Sequence, residues 1–258
     1  MTDPTQRAAH GAGERASLPM MDTLPTATQL CASILARHQD TISVRKPNIA
    51  VARLQQILEV AIDLSNKGGF QAMSLRDLSR ETGMSAGGLY AYFDSKTTLL
   101  KMILSEVADL VQRVLSSPPA AVTADPVMHL RWLIDTHLRM TEALLPWFTF
   151  AFMEAKNFPP AERRMAVDSE MLTESFFSAV VLRGMEEGVF RPDTSPLLPA
   201  LIKPLLQEWY VKRAKYRRRG ITLESYSAEV QQVVLRACLP EAGLFTMPPI
   251  RKSGDARP

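Results

Sequence analysis

At 258 residues, 46% hydrophobic and 22% charged, the chain has the composition of a globular protein long enough to bury a sizeable core. No run approaches the roughly 18 apolar residues that mark a membrane span, and the N-terminus lacks the basic start and apolar centre of a signal peptide. Cys31 and Cys238 lie far apart without metal-ligand spacing, which fits a reducing cytoplasm, and a net charge of +3 is too small to argue for a nucleic-acid partner.

Residues 1–46 read as a mostly disordered extension, rich in Thr, Pro, Gly and Ala at its start. Leu30, Ile34 and Leu35 allow a short helix between Thr28 and His38. Arg45, Lys46 and Pro47 form a basic approach to the next element, either an arm for DNA phosphates and the minor groove or a solvated linker. Asn48 is an N-cap candidate for a helix to Lys67, with Leu54, Ile57, Leu58, Ala61, Ile62 and Leu64 on its apolar face. Gly68-Gly69 ends it. Ser74 and Asp77 have the spacing of a capping box, with Leu75 and Leu78 turned inward. Gly83 breaks this second helix, and Ser85 caps a third. Ser95 opens a fourth, whose stripe Leu99, Ile103, Val107, Leu110 and Val114 carries it out of a first domain and into a second. After a connection at Pro118–Asp125, helices are predicted over 126–144, 146–157, 161–187, 196–219 and 223–238. Residues 241–258 read as a flexible tail.

The fold class is therefore all-α. A three-helix helix-turn-helix domain over 47–110 precedes a larger helical domain over 111–240. In a helix-turn-helix the second helix enters the major groove. Leu89 and Phe93 would bury that helix, leaving Ala86, Gly87, Gly88, Tyr90 and Ala91 outside. Two glycines in so short a helix cost roughly 1 kcal/mol each relative to alanine, a cost that makes sense where backbone must approach a partner closely. Ser85, Tyr90 and Tyr92 carry hydroxyls suited to phosphates, and Lys96 lies at a helix start that also favours them. Tyr92 as a core aromatic is the plain alternative. The charges between Pro47 and Lys96 cancel, five basic residues against five acidic.

The run from Pro47 to Val114 resembles the DNA-binding domain of the TetR family of bacterial transcriptional regulators. The resemblance rests on Gly68-Gly69-Phe70, Ser74-Leu75-Arg76-Asp77-Leu78, Gly83-Met84-Ser85, Gly87, Leu89-Tyr90, Tyr92-Phe93 and Ser95-Lys96. It implies a cytoplasmic regulator of transcription that binds double-stranded operator DNA as a homodimer and is released by a small apolar or amphipathic effector. It makes Ser74 part of the DNA-binding set, Arg76 the candidate base reader, and Ala86, Gly87 and Gly88 the residues over base edges. Ser85, Tyr90, Tyr92 and Lys96 become the expected phosphate contacts. With no hydrogen-bonding side chain at 86–88, readout would lean on Arg76, on apolar contact from Ala86 and on groove shape.

The middle helices hold many large, pliable apolar side chains. Trp132, Met140, Trp147, Phe148, Phe152, Phe176, Phe177 and Trp209 are the candidates for lining an effector cavity, with ordinary core packing the alternative for each. Leu201, Leu205, Val230 and Val234 on the last two long helices are candidates for the dimer interface. Six basic residues fall between Lys212 and Arg219. They read either as a solvated helix end or as an anion site beside the cavity, and Glu208-Trp209-Tyr210 with Gly220–Leu223 weakly resembles acyl-CoA-responsive members of the family. A drug-like or aromatic effector remains open. So does a reading of the whole chain as a helical interaction or membrane-surface module using 212–219. No catalytic, metal or cofactor motif occurs: there is no H-E-x-x-H, G-x-S-x-G or P-loop, so no enzyme is expected.

Overall fold

The computed structural model describes residues 24–44 and 46–240. Residues 1–23, Arg45 and 241–258 lie outside the described residues, and with them most of the expected disordered extension, one residue of the basic arm and the tail. The chain folds as twelve α-helices among the described residues: α1 (Ala27–Arg37), α2 (Pro47–Gly68), α3 (Leu75–Thr82), α4 (Ala86–Tyr90), α5 (Lys96–Leu115), α6 (Ala120–Thr123), α7 (Pro126–Ala143), α8 (Leu145–Met153), α9 (Pro160–Glu186), α10 (Leu198–Val211), α11 (Arg213–Arg218) and α12 (Leu223–Cys238). A 3₁₀ turn (Ala155–Asn157) follows α8, and no strand occurs among the described residues.

Helix α1 corrects the expectation for residues 24–44, which are part of the fold. Thr26 and Gln29 form a full capping box at its start, and Leu30, Cys31 and Ile34 are buried. At its end Arg37 pairs with Glu106 and Asp109 of α5. The segment beyond it is also anchored: Ile42 is buried, and the Ser43 amide donates to the Ala91 carbonyl at 3.0 Å. Helix α2 starts two residues earlier than expected. Lys46 is its N-cap, without a side-chain cap, and Pro47 takes the first helical position, where a missing N–H costs nothing. Asn48 thus lies inside the first turn.

Helix α5 is the axis of the molecule. Its stripe from Leu99 to Leu115 includes eleven buried residues, more than one face can hold, because α1, α7, α8 and α9 pack around it. Even the carboxylate of Glu106 is fully buried there, held by Arg37 and by Arg113 at 3.0 Å. The segment predicted as one helix over 196–219 is two, broken at Lys212. The expected helix 146–157 is α8 plus the 3₁₀ turn. Gly184 shows how tightly α9 is packed: a Cβ there would lie 2.2 Å from the Phe190 ring, so no larger residue fits.

Candidate nucleic-acid interface and effector cavity

Local chemistry sets the helix-turn-helix. The Ser74 hydroxyl accepts from the Asp77 amide at 3.1 Å, while the Asp77 carboxylate accepts from the Ser74 amide and hydroxyl, and these bonds hold its carboxyl below the usual carboxylate range. Gly83 ends α3 in the left-handed region at φ 66°, where a side chain would be strained. The turn is tied to α2 by Gln56, whose amide donates to the Thr82 carbonyl at 2.9 Å. Ser85 then caps α4 by accepting from the Gly88 amide at 3.2 Å. Leu78, Leu89 and Phe93 are fully buried beneath; at roughly 1.5–3 kcal/mol each, they outweigh the cost of the two glycines.

The outer surface matches much of the sequence reading. Ser74, Arg76, Ser85, Ala86 and Gly87 are exposed, Gly88 is half-buried and Tyr90 is 52% exposed. A Cβ at Gly87 would meet nothing within 4 Å, and one at Gly88 only ordinary neighbours at 3.4 Å and beyond. The fold itself therefore has no use for these glycines. Among the described residues of this domain, Lys67 and Arg80 pair with carboxylates, whereas Lys46, Arg53 and Arg76 form no ion pair.

Two expected phosphate contacts are corrected. Tyr92 is only 3% exposed: its ring belongs to the core under α4, and burial raises its pKa. Lys96 turns inward, donating to the carbonyls of Gln71 at 3.1 Å and Met73 at 2.7 Å with its ammonium 4.9 Å above the Phe70 ring. It straps the loop that leads into α3, and desolvation lowers its pKa. That same loop is joined to α8 and the turn after it. The Phe70 amide donates to the Glu154 carboxylate at 2.9 Å, Gln71 donates to the Asn157 carbonyl at 3.1 Å, and Phe70, Phe150 and Phe158 form an edge-packed aromatic trio.

A cavity of about 230 Å³ opens among α5, α8, α9 and α10. Its walls are mainly apolar, with Leu104, Val107, Val111, Phe148, Phe152 and Met165 among them. Of the eight expected lining residues, Phe148 and Phe152 are present. Trp147 faces a second cavity of about 540 Å³ between α2 and the α7–α8 junction. Trp132, Met140, Phe177 and Trp209 are fully buried elsewhere, and Phe176 is half-buried away from either cavity, because α7, α9 and α10 use these faces to pack on one another. Trp209 is a structural platform. Its indole N–H donates to Glu142 at 2.9 Å, its ring lies 5.6 Å from Tyr216 and 5.0 Å from Tyr226, and Arg213 sits over it at 4.5 Å.

Lys203, missed in the sequence, also lines this cavity. It is 9% exposed, its ammonium lies 3.3 Å from His137 Nε2, and desolvation lowers its pKa to about 8. The available signal is a lone lysine whose helical neighbours Pro199 and Leu206 are apolar and buried. Of the two readings of the basic run at 212–219, the structure agrees with the solvated helix end, with Lys212, Lys215, Arg217, Arg218 and Arg219 exposed. None of it lines the cavity; Arg213 grips Glu142 with three bonds of 2.8, 2.9 and 3.1 Å, and Lys215 pairs with Glu208. The dimer candidates divide. Leu201 is 59% exposed and Leu205 half-buried, but Val230 and Val234 face the protomer's own core, since Ser227 and Gln231 between them bond to Asp135 and Arg131 of α7. Leu197 at 64% and Val233 at 50% are the exposed apolar residues nearby in sequence.

A capped helix-turn-helix joined through a shared long helix to a helical domain with an apolar cavity is the architecture of an all-α, helix-turn-helix type of DNA-binding regulator. Residues 57–103 match the family model for bacterial regulatory proteins of the tetR family. Over 213 residues the chain is 22% identical to the HTH-type transcriptional regulator HbdR of Aromatoleum sp. (strain CIB), covering 83% of this chain and 92% of that one. The crystal structure of PfmR, a TetR-family regulator from Thermus thermophilus, is 27% identical with a TM-score of 0.58, covering 70% of this chain and 97% of that one. The Bacillus subtilis regulator FadR, solved in complex with stearoyl-CoA, shares the fold at 14% identity and a TM-score of 0.55, covering 70% of this chain and 97% of that one. By these likenesses residues 57–103 are similar to the DNA-binding part of tetR-family regulatory proteins, and HbdR, PfmR and FadR are transcriptional regulators. No helix among the described residues is long and apolar enough to cross a membrane.

Proposed function

We propose that this protein is a repressor that binds a palindromic operator as a homodimer and leaves it when a small amphipathic molecule enters the cavity beside α5. The observation that carries DNA binding is the exposed turn Ser85–Tyr90. Two helical glycines without an internal role leave the backbone open to close approach, with unpaired Arg76 beside them on α3. In this reading residues 47–110 are the DNA-binding unit. Arg76 reads a base edge, Ala86, Gly87 and Gly88 lie against bases, and Ser74, Ser85 and Tyr90 meet phosphates. Lys96 acts indirectly, by fixing the loop before α3.

Residues 111–240 bind effector and partner. Leu197, Leu201, Leu205 and Val233 supply the dimer face, since an exposed apolar stripe on adjacent helices favours burial against a symmetry mate. The cavity takes an acyl chain or aromatic body; a coenzyme A headgroup would lie outside it, past the exposed Lys156 and Arg163. An occupant pressing on α8 acts on α3 through the Glu154–Phe70 bond as well as along α5, provided it binds one arrangement more tightly than the other. The alternative of a membrane-surface module keeps only Lys212, Arg217, Arg218 and Arg219 of the basic run, because Arg213 and Lys215 are held by carboxylates. Titration of labelled promoter duplex tests the reading. A saturable complex that weakens with salt and outcompetes random duplex is expected; equal retention of random duplex overturns it.

A further inference from the structure

Resting on the reading of this cavity as the effector site, we propose that its occupant is an amphipathic carboxylate, with its anionic head against Lys203 and its apolar body between Phe148, Phe152 and Val107. Lys203 is more than nine-tenths buried and lines the cavity wall, yet its hydrogen-bond partner is a neutral imidazole, His137, at 3.3 Å. Burial and the Lys203 charge both hold the His137 pKa far below the ordinary value, so His137 supplies a lone pair and no countercharge. His137 Nδ1 is itself buried without a partner, so the ring has no second contact to rearrange toward.

An ammonium removed from water needs an anion or a full set of acceptors. The one carboxylate lining the cavity, Glu170, is exposed, accepts from Gln207 at 2.6 Å and forms no ion pair with Lys203 among the described residues. Lys156 and Arg163 line the same cavity and add positive charge toward solvent. The cavity thus joins an apolar barrel to one buried, undercompensated cation. That combination selects a molecule with one negative end and a greasy body, and it disfavours neutral analogues of the same shape.

The test is calorimetric titration of the full-length protein with octanoate and with octanamide, which match in size and differ in charge. Wild type should bind octanoate about tenfold or more tightly than octanamide, the margin of a charge-assisted contact. Lys203→Met should erase that ratio while retaining octanamide binding. Glu170→Gln, which leaves Lys203 in place, should raise octanoate affinity and so guards against a Lys203 variant that fails to fold. Equal binding of the two probes by wild type, or a ratio that survives in Lys203→Met, overturns the proposal while leaving the apolar effector site standing. Failure of both probes to bind overturns both. Operator titrations of the same variants without probe report DNA binding independently.

Discussion

Replacing Lys203 with methionine removes a charge that destabilises the unliganded fold, and the size of the effect follows from its surroundings. His137 from α7 contacts it, and the titratable groups lining the cavity with it are Glu170 and Arg163 from α9, Tyr210 from α10 and Lys156 from the turn after α8. Burial dominates, lowering its pKa from 10.5 to about 8, with Glu170 opposing the shift. Below pH 8 lysine is protonated in both folded and unfolded chains, so the penalty is fully present; above 10.5 it is neutral in both and the penalty is gone. At 1.36 kcal/mol per unit, the difference is about 3 kcal/mol. Losing the contact to His137 costs the variant about 1 kcal/mol, which leaves a net gain of about 2 kcal/mol at pH 7. Equilibrium urea unfolding at fixed protomer concentration, run at pH 7 and pH 10 on both proteins, measures it. The variant should be the more stable at pH 7, with the gap shrinking toward pH 10. A less stable variant at pH 7, or a gap that ignores pH, would refute the account of Lys203 as an undercompensated buried cation.

Four further outcomes are expected. Gly87→Ala should raise stability by up to about 1 kcal/mol in urea unfolding, because its methyl meets nothing, while weakening operator binding at least about tenfold; unchanged DNA affinity would remove the case for close approach. Arg76→Ala should lose discrimination at one base pair of each half-site, about 1–3 kcal/mol in competition against operator variants, whereas Tyr90→Ala should weaken all sequences alike. Leu201→Glu should shift the protein to monomer in sedimentation velocity and lower operator affinity with it. Glu154→Ala should leave effector binding intact but blunt the release of DNA in a combined titration, with Glu154→Gln, which keeps an acceptor for the Phe70 amide, behaving closer to wild type.

The stretch from Ser74 to Lys96 is legible in the sequence because its signals are local. The Ser74–Asp77 box, the left-handed Gly83 and the Ser85 cap each act within a few residues, and the structure contains all three. Lys96 is not, because its partners, the Gln71 and Met73 carbonyls, come from a loop more than twenty residues away. Valine periodicity on α12 marks an apolar stripe without telling inside from outside; Ser227 and Gln231, polar residues facing α7, turn Val230 and Val234 inward and leave Val233 exposed. Large aromatics in sequence suggest cavity lining, but a Trp209 bonded to Glu142, stacked on Tyr216 and packed against Tyr226 holds the bundle together instead. The cavity's buried cation is a single lysine, and a basic residue in an apolar helix reads as surface until the helices around it are in place.

In the proposed function, α3 and α4 read DNA as part of a symmetric pair. Selection of bound duplexes from a random pool by the full-length protein tests it most directly. An inverted repeat should be enriched, with the enrichment lost in Gly87→Ala and reduced when octanoate is present. Recovery of no shared sequence, or of a single half-site without a repeat, would contradict it.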